Sequence, residues 1–217
     1  MSPVMPSEDL KARLLAAARA APAPTRSSES KRAAVLVTMA VLVSLTVFLA
    51  FGGVRMTERP AALLIGTVAG TAAIAALTIW VAVGRGGAML GRARSWLVAA
   101  VIASPVALLA WKIYWSAQFD HGLAPWPSRL GLRCLGMSMS MGALPLVALL
   151  FTRRGTDAVH PGHAGMGIGV ALGLAVATFV DAWCPVAYVP HLLLGHILPL
   201  ALLGAAGLWL GKKILAP

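Results

Sequence analysis

The sequence predicts an all-α, polytopic membrane protein with six transmembrane helices and both termini on the cytoplasmic side. Three observations carry this. Only 12% of the 217 residues are charged while 59% are hydrophobic, where a soluble domain carries about 25% charged residues. The mean hydropathy is +0.83. Six apolar stretches come close to the roughly 20 residues a helix needs to cross a bilayer core, where unpaired backbone groups cannot be left in lipid.

In chain order the stretches are Ala33–Gly52, Ala61–Val83, Ser95–Trp115, Cys134–Phe151, Ala164–Trp183 and His191–Gly211. The leading 32 residues are too long and too charged for a signal peptide. The first apolar run also exceeds a signal core of about 7–15 residues, so it stays as a span. The fourth is the shortest and extends back toward Leu130. Pro105, Pro145 and Pro199 fall inside spans, where prolines act as kinks if neighbouring groups satisfy the freed carbonyls. Gly165, Gly169 and Gly173 repeat every four residues on the fifth span, as Gly66 and Gly70 do on the second. Such spacing marks close helix packing, although 22 glycines in an apolar chain also produce it by chance. No long internal repeat is visible, which argues against an inverted-repeat transporter.

Basic residues set the orientation. Thirteen lie in the N-terminal tail, the second and fourth loops and the C-terminus, against four (Arg55, Arg59, Arg129, Arg133) on the other side. That bias places both termini in the cytoplasm. Lys112, in the last turn of the third span, is expected to snorkel outward. The net charge of +11 is spread over short clusters between apolar runs, which is topology rather than a nucleic-acid footprint. No direct nucleic-acid binding is expected.

Residues 1–32 form a cytoplasmic tail ahead of a transmembrane domain spanning 33–217. Ser7 followed by Glu8 and Asp9 reads as a helix N-cap with acidic residues in the first turn. Leu10, Leu14, Ala17, Ala18 and Ala21 follow at helical spacing, with Lys11, Arg13 and Arg19 on other faces. Pro22 and Pro24 end this helix, and Thr25 to Ser30 read as a polar linker. A short amphipathic helix on a tether docks into a groove of a soluble partner or lies on anionic lipid.

The chemistry-bearing residues gather at the outer face. Cys134 opens the fourth span and Cys184 closes the fifth, so both thiols belong at the outer interface although 50 residues separate them. In a bacterium that is the oxidising side, where disulfides persist. Nearby lie Asp181, His191 and His196. Asp181 and Cys184 are three apart and share a helix face; Asp181 also has Lys112 or Arg133 as an ion-pair candidate. His191 and His196 are five apart, about 140° around an α-helix, so they are not expected to form a one-face chelate. His196 reads as a helix–helix hydrogen-bond donor.

Three assignments compete for the thiols. A disulfide would contribute roughly 4 kcal/mol by loop entropy. A soft-metal site would join Cys134 to Met137 and Met141, at i, i+3 and i+7, with thiolate and thioether ligands suited to copper(I). Inert burial is the third, with the methionines as core fillers. No CxxC, P-loop, paired-carboxylate site or intramembrane acid chain is present. The chain reads as a non-enzyme without an assigned cofactor, a soft or heavy metal ion entering only as a signal.

Arg133-Cys134-Leu135 opens the fourth span, Pro145 lies within it, and a Gly-rich fifth span leads through Cys184-Pro185 to His191 and Gly195-His196. With the basic tail and six spans, this pattern resembles the NrsF-type (negative regulator of sigma F) membrane anti-sigma factors over nearly the whole chain. The resemblance implies a multi-pass protein of the bacterial inner membrane. It would hold an extracytoplasmic-function sigma factor through its cytoplasmic face and release it under oxidative or heavy-metal stress. It further implies that Cys134 and Cys184 are the sensor pair, and that the tail, with Leu10, Lys11, Arg13, Leu14 and Arg19, forms part of the sigma-binding surface. Asp181, His191, His196, Met137 and Met141 would support the pair. The alternatives are a copper- or thiol-handling membrane protein without a sigma partner, or a structural subunit of a larger membrane complex.

Overall fold

The computed structural model describes residues 26–54, 60–83, 93–124, 131–154, 159–184 and 186–216. Among them the chain forms helices only: α1 Arg26–Ala50, α2 Ala61–Val83, α3 Arg94–Ser116, α4 Leu132–Thr152, α5 Pro161–Trp183 and α6 Val189–Ile214. All but α1 are long and apolar enough to cross a membrane; the apolar part of α1 described, Ala34–Ala50, is shorter. The helix bounds follow the hydropathy within a few residues, with one correction. Helix α1 begins at Arg26, inside the segment read from sequence as a linker. No proline or glycine lies between Pro24 and Ala50, so a helix nucleated over the apolar stretch propagates into its polar flank.

Proline and glycine punctuate the rest. The Pro60 carbonyl accepts the amides of Leu63 and Leu64 at the start of α2. Pro161 occupies the first turn of α5, where its missing N–H leaves no helical bond unmade. Pro185 follows Cys184 in sequence and disfavours helical backbone in the residue before it; Cys184 accordingly leaves the helix at φ −134° and ψ 88°. Pro145 cannot donate to the Met141 carbonyl one turn back. The Ser44 hydroxyl of α1 donates to that carbonyl at 2.8 Å instead, which ties α1 to α4.

Helix α5 is the centre of the bundle, packed against α2, α3, α4 and α6. The α5–α6 seam is glycine on both sides: a Cβ at Gly165 would run into the Gly207 carbonyl, and one at Gly169 into the Leu203 carbonyl. The repeat noticed in the sequence is therefore a packing surface. On α2, Gly66 and Gly70 admit the rings of Trp115 and Trp111 from α3. The indole N–H groups of these rings donate to the carbonyls of Leu63 (3.2 Å) and Gly66 (3.1 Å).

Helix α6 is not α-helical throughout. Leu193–Ile197 form a π-helical turn between Val189–Leu192 and Leu198–Ile214, and the Leu198 amide donates to the Leu193 carbonyl five residues back. Pro199, two residues beyond this turn, has no amide for the carbonyl one α-turn earlier. A wider turn accommodates that loss.

Candidate functional site

The site lies at one end of the bundle. The first turn of α4 brings Cys134, the residue after α5 is Cys184, and α6 brings His191 from its first turn and His196 from the π turn. Two glycines allow the approach. Gly131, at φ 84°, caps α4 and lies against the His191 carbonyl and the Gly195 amide, where a Cβ would be 3.0 Å from each. A Cβ at Gly195 would in turn lie 2.9 Å from Cys134 Cβ. With a side chain at either position, α4 could not seat Cys134 on α6.

The cysteines are buried and not bonded to each other. Both converge on one imidazole nitrogen: Cys134 Sγ is 3.5 Å and Cys184 Sγ 3.4 Å from His191 Nε2. Cys134, Cys184, His191 and His196 each contribute a ligand-type atom, and these four atoms lie within 4.8 Å of one another. The expectation that the two histidines could not share a face is overturned. It assumed α-helical spacing throughout, whereas the wider π turn at Leu193–Ile197 lowers the rotation per residue between the two positions; the two rings sit 5.5 Å apart.

Behind the thiols lies a charged network. Lys112 is 1% exposed and donates to Asp181 Oδ1, which is fully buried. The expected outward snorkelling is thus wrong: a carboxylate inside the bundle, where it is costly unless paired, draws the ammonium inward. Arg133, the other candidate partner, is exposed. Asp181 also accepts Thr71 Oγ1 on Oδ2 at 2.6 Å, and His196 Nδ1 lies 3.1 Å from Oδ1. With two donors on one oxygen, Lys112 Nζ and His196 Nδ1 come within 3.2 Å of each other. The carboxylate assigns the ring proton to Nδ1, and Nε2 of His196 is buried without a hydrogen-bond partner among the described residues.

An apolar shell closes the cluster. Met137 and Met141 are fully buried and share it with both cysteines, Phe48, Val176, Val180, Trp183 and Val186. Trp183 Nε1 donates to the Phe51 carbonyl at 2.7 Å, so the segment after α1 covers this end. Leu10, Lys11, Arg13, Leu14 and Arg19 lie outside the described residues.

Sequence reasoning named Lys112 among the candidate partners of Asp181 but turned its ammonium outward, and it missed Thr71. A lysine inside an apolar run was a usable signal, since an intramembrane cation needs a partner. Thr71 carries no such mark; threonines in spans commonly bond their own helix, as Thr67 does with the Leu63 carbonyl.

No curated protein and no solved structure matches the chain. A family model described as NrsF, negative regulator of sigma F, matches residues 16–216, nearly the whole length. The chain, whose described residues are all-helical with five helices fit to cross a membrane, is matched from the tail to the last helix and therefore belongs to the NrsF family of negative regulators of sigma F.

Proposed function

We propose that this chain is an integral-membrane anti-sigma factor. It sequesters an extracytoplasmic-function sigma factor at the bacterial inner membrane and releases it when Cys134 and Cys184 meet an oxidant or a heavy metal. Family membership supports the sigma-factor partner. The observation that carries the sensing half is the convergence of both thiols on His191 inside a buried seam of α4, α5 and α6. A chemical change there acts on packed helix ends rather than on a solvated loop.

In this reading α1 is the first of six spans, and the thirteen-to-four distribution of basic residues puts both termini in the cytoplasm. The thiols then face the periplasmic side. The tail 1–32 holds the sigma factor, or rests on the lipid surface, on the cytoplasmic side. No catalysis is required. Oxidation, reduction or metal capture repacks the thiol ends of α4 to α6, and the glycine seam of α5 with α6 carries the shift across the membrane. Moving occupancy from 99:1 to 1:99 takes about 5.5 kcal/mol of differential stabilisation, which thiol chemistry or metal coordination supplies and a single surface charge does not.

Co-purification tests the reading. A sigma factor retained by the full chain should be lost when residues 1–32 are deleted, and should no longer respond to oxidant or cadmium in the Cys134→Ser/Cys184→Ser variant. Regulation that survives in the double variant would sink the thiol mechanism. A chain that retains no sigma factor in any state would sink the anti-sigma reading.

A further inference from the structure

We infer that Cys134, Cys184, His191 and His196 form one closed four-ligand site for a tetrahedral divalent d10 ion of the zinc and cadmium type, with Asp181 orienting His196 from behind. Its regulatory consequence rests on the sensor reading above; the site itself rests on geometry.

Metal–sulfur bonds of about 2.3 Å and metal–nitrogen bonds of about 2.0–2.1 Å at a tetrahedral angle put sulfur and nitrogen about 3.5 Å apart. The two thiol sulfurs lie 3.5 and 3.4 Å from His191 Nε2, so they already form two edges of such a polyhedron. The fourth corner has an independent mark. His196 is 1% exposed, its Nδ1 is engaged by Asp181, and its Nε2 has no partner among the described residues. A carboxylate holding the far nitrogen of an imidazole fixes the tautomer that leaves the near nitrogen free to ligate. A buried imidazole serving only as a helix–helix donor would have no reason to leave its second nitrogen unpartnered among the described residues, in a side chain with a ligand-type atom within 4.8 Å of both thiols and of His191.

Charge selects the ion. Two thiols and two neutral imidazoles carry no net charge, and Lys112 offsets Asp181 next to them. When a divalent ion binds, two sulfur–metal bonds form and two thiol protons leave to solvent, so the buried cluster stays neutral. A monovalent ion held by both thiolates would leave one uncompensated negative charge in an apolar shell, which is costly. The donor set of two sulfurs and two nitrogens also favours a tetrahedral zinc-like ion over thioether-rich copper(I) coordination. Met137 and Met141 then serve as the apolar wall.

Cobalt(II) titration of the full chain, purified in detergent with its thiols reduced, tests the inference. The expected result is one ion per chain, with thiolate-to-cobalt charge transfer and intense tetrahedral d–d bands that one equivalent of zinc abolishes. Asp181→Asn should weaken cobalt binding about 10–100-fold while keeping the shape of the bound spectrum. X-ray absorption of the zinc-loaded wild-type chain needs no variant to fold and should count two sulfurs and two nitrogens. Absent cobalt bands, octahedral bands, or a sulfur-only shell would overturn the site. So would stoichiometric copper(I) binding that is unchanged in His191→Gln and His196→Gln. The two proposals fail separately: metal bound in this geometry while sigma release ignores metal removes the sensor reading, and thiol-dependent release without metal binding removes the site.

Discussion

Replacing Lys112 with methionine isolates the charged network, because the unbranched apolar stem is kept and the ammonium is lost. Lys112 and Asp181 are 1% and 0% exposed, so neither water nor salt screens the pair. Removing one partner of a buried pair costs about 3–5 kcal/mol, because the other charge is left uncompensated. Asp181 keeps its bonds from Thr71 and His196, each charge-assisted and worth about 1.5–3 kcal/mol. An upper bound comes from proton uptake: neutralising an ordinary carboxylate at pH 7 takes about 4 kcal/mol, and a carboxylate under greater stress than that accepts a proton. Lys112→Met is therefore expected to lose about 3–4 kcal/mol. The pair replacement Lys112→Met/Asp181→Leu removes both charges and should recover about 2 kcal/mol of that loss. Equilibrium unfolding in mixed micelles of rising SDS fraction measures this. Trp111 and Trp115, stacked on α3 beside Lys112, provide the fluorescence signal. A single variant losing less than about 1 kcal/mol, or a double variant no more stable than the single, would refute the claim that Asp181 draws Lys112 into the bundle.

Three further outcomes follow from the packing. Ser44→Ala leaves the Met141 carbonyl, already denied an amide by Pro145, without the hydroxyl that reaches it; a buried orphan acceptor costs about 1–3 kcal/mol, read as a lower unfolding midpoint in the same micelles. Gly169→Ala places a methyl against the Leu203 carbonyl and Gly204 Cα, which forces α5 and α6 apart at a cost of about 1–3 kcal/mol. Gly136→Ala, with nothing within 4 Å of the new atom, should be neutral or slightly stabilising and controls for helix propensity.

The helices were legible from local chemistry. Hydropathy located all six, and the predicted ends fall within a few residues of the observed ones, apart from the start of α1 at Arg26. Pro161 at the start of α5 and Pro185 after Cys184 explain those bounds without reference to any neighbour. That both thiols belong to one end of the bundle was also legible, since Cys134 begins one apolar run and Cys184 ends the next.

The composition of the site was only half legible, and the reasons are specific. Angular arithmetic separated His191 from His196 because it assumed α spacing; the π turn depends on how Pro199 is accommodated within a packed helix. Lys112 was read as a cation near a span end, and such a residue turns outward unless a buried anion lies within reach.

By itself, then, the sequence determined which segments are helices, where proline and glycine end or thin them, and that both thiols lie at one end. These are properties of short windows, set by burial of apolar side chains and by backbone sterics. Only the tertiary structure decided that Asp181 pairs with Lys112 inside the bundle rather than with Arg133, that Thr71 joins them, and that His196 Nδ1 meets the same carboxylate. Each of those depends on atoms from different helices meeting at about 3 Å, a distance that no periodicity along one helix encodes.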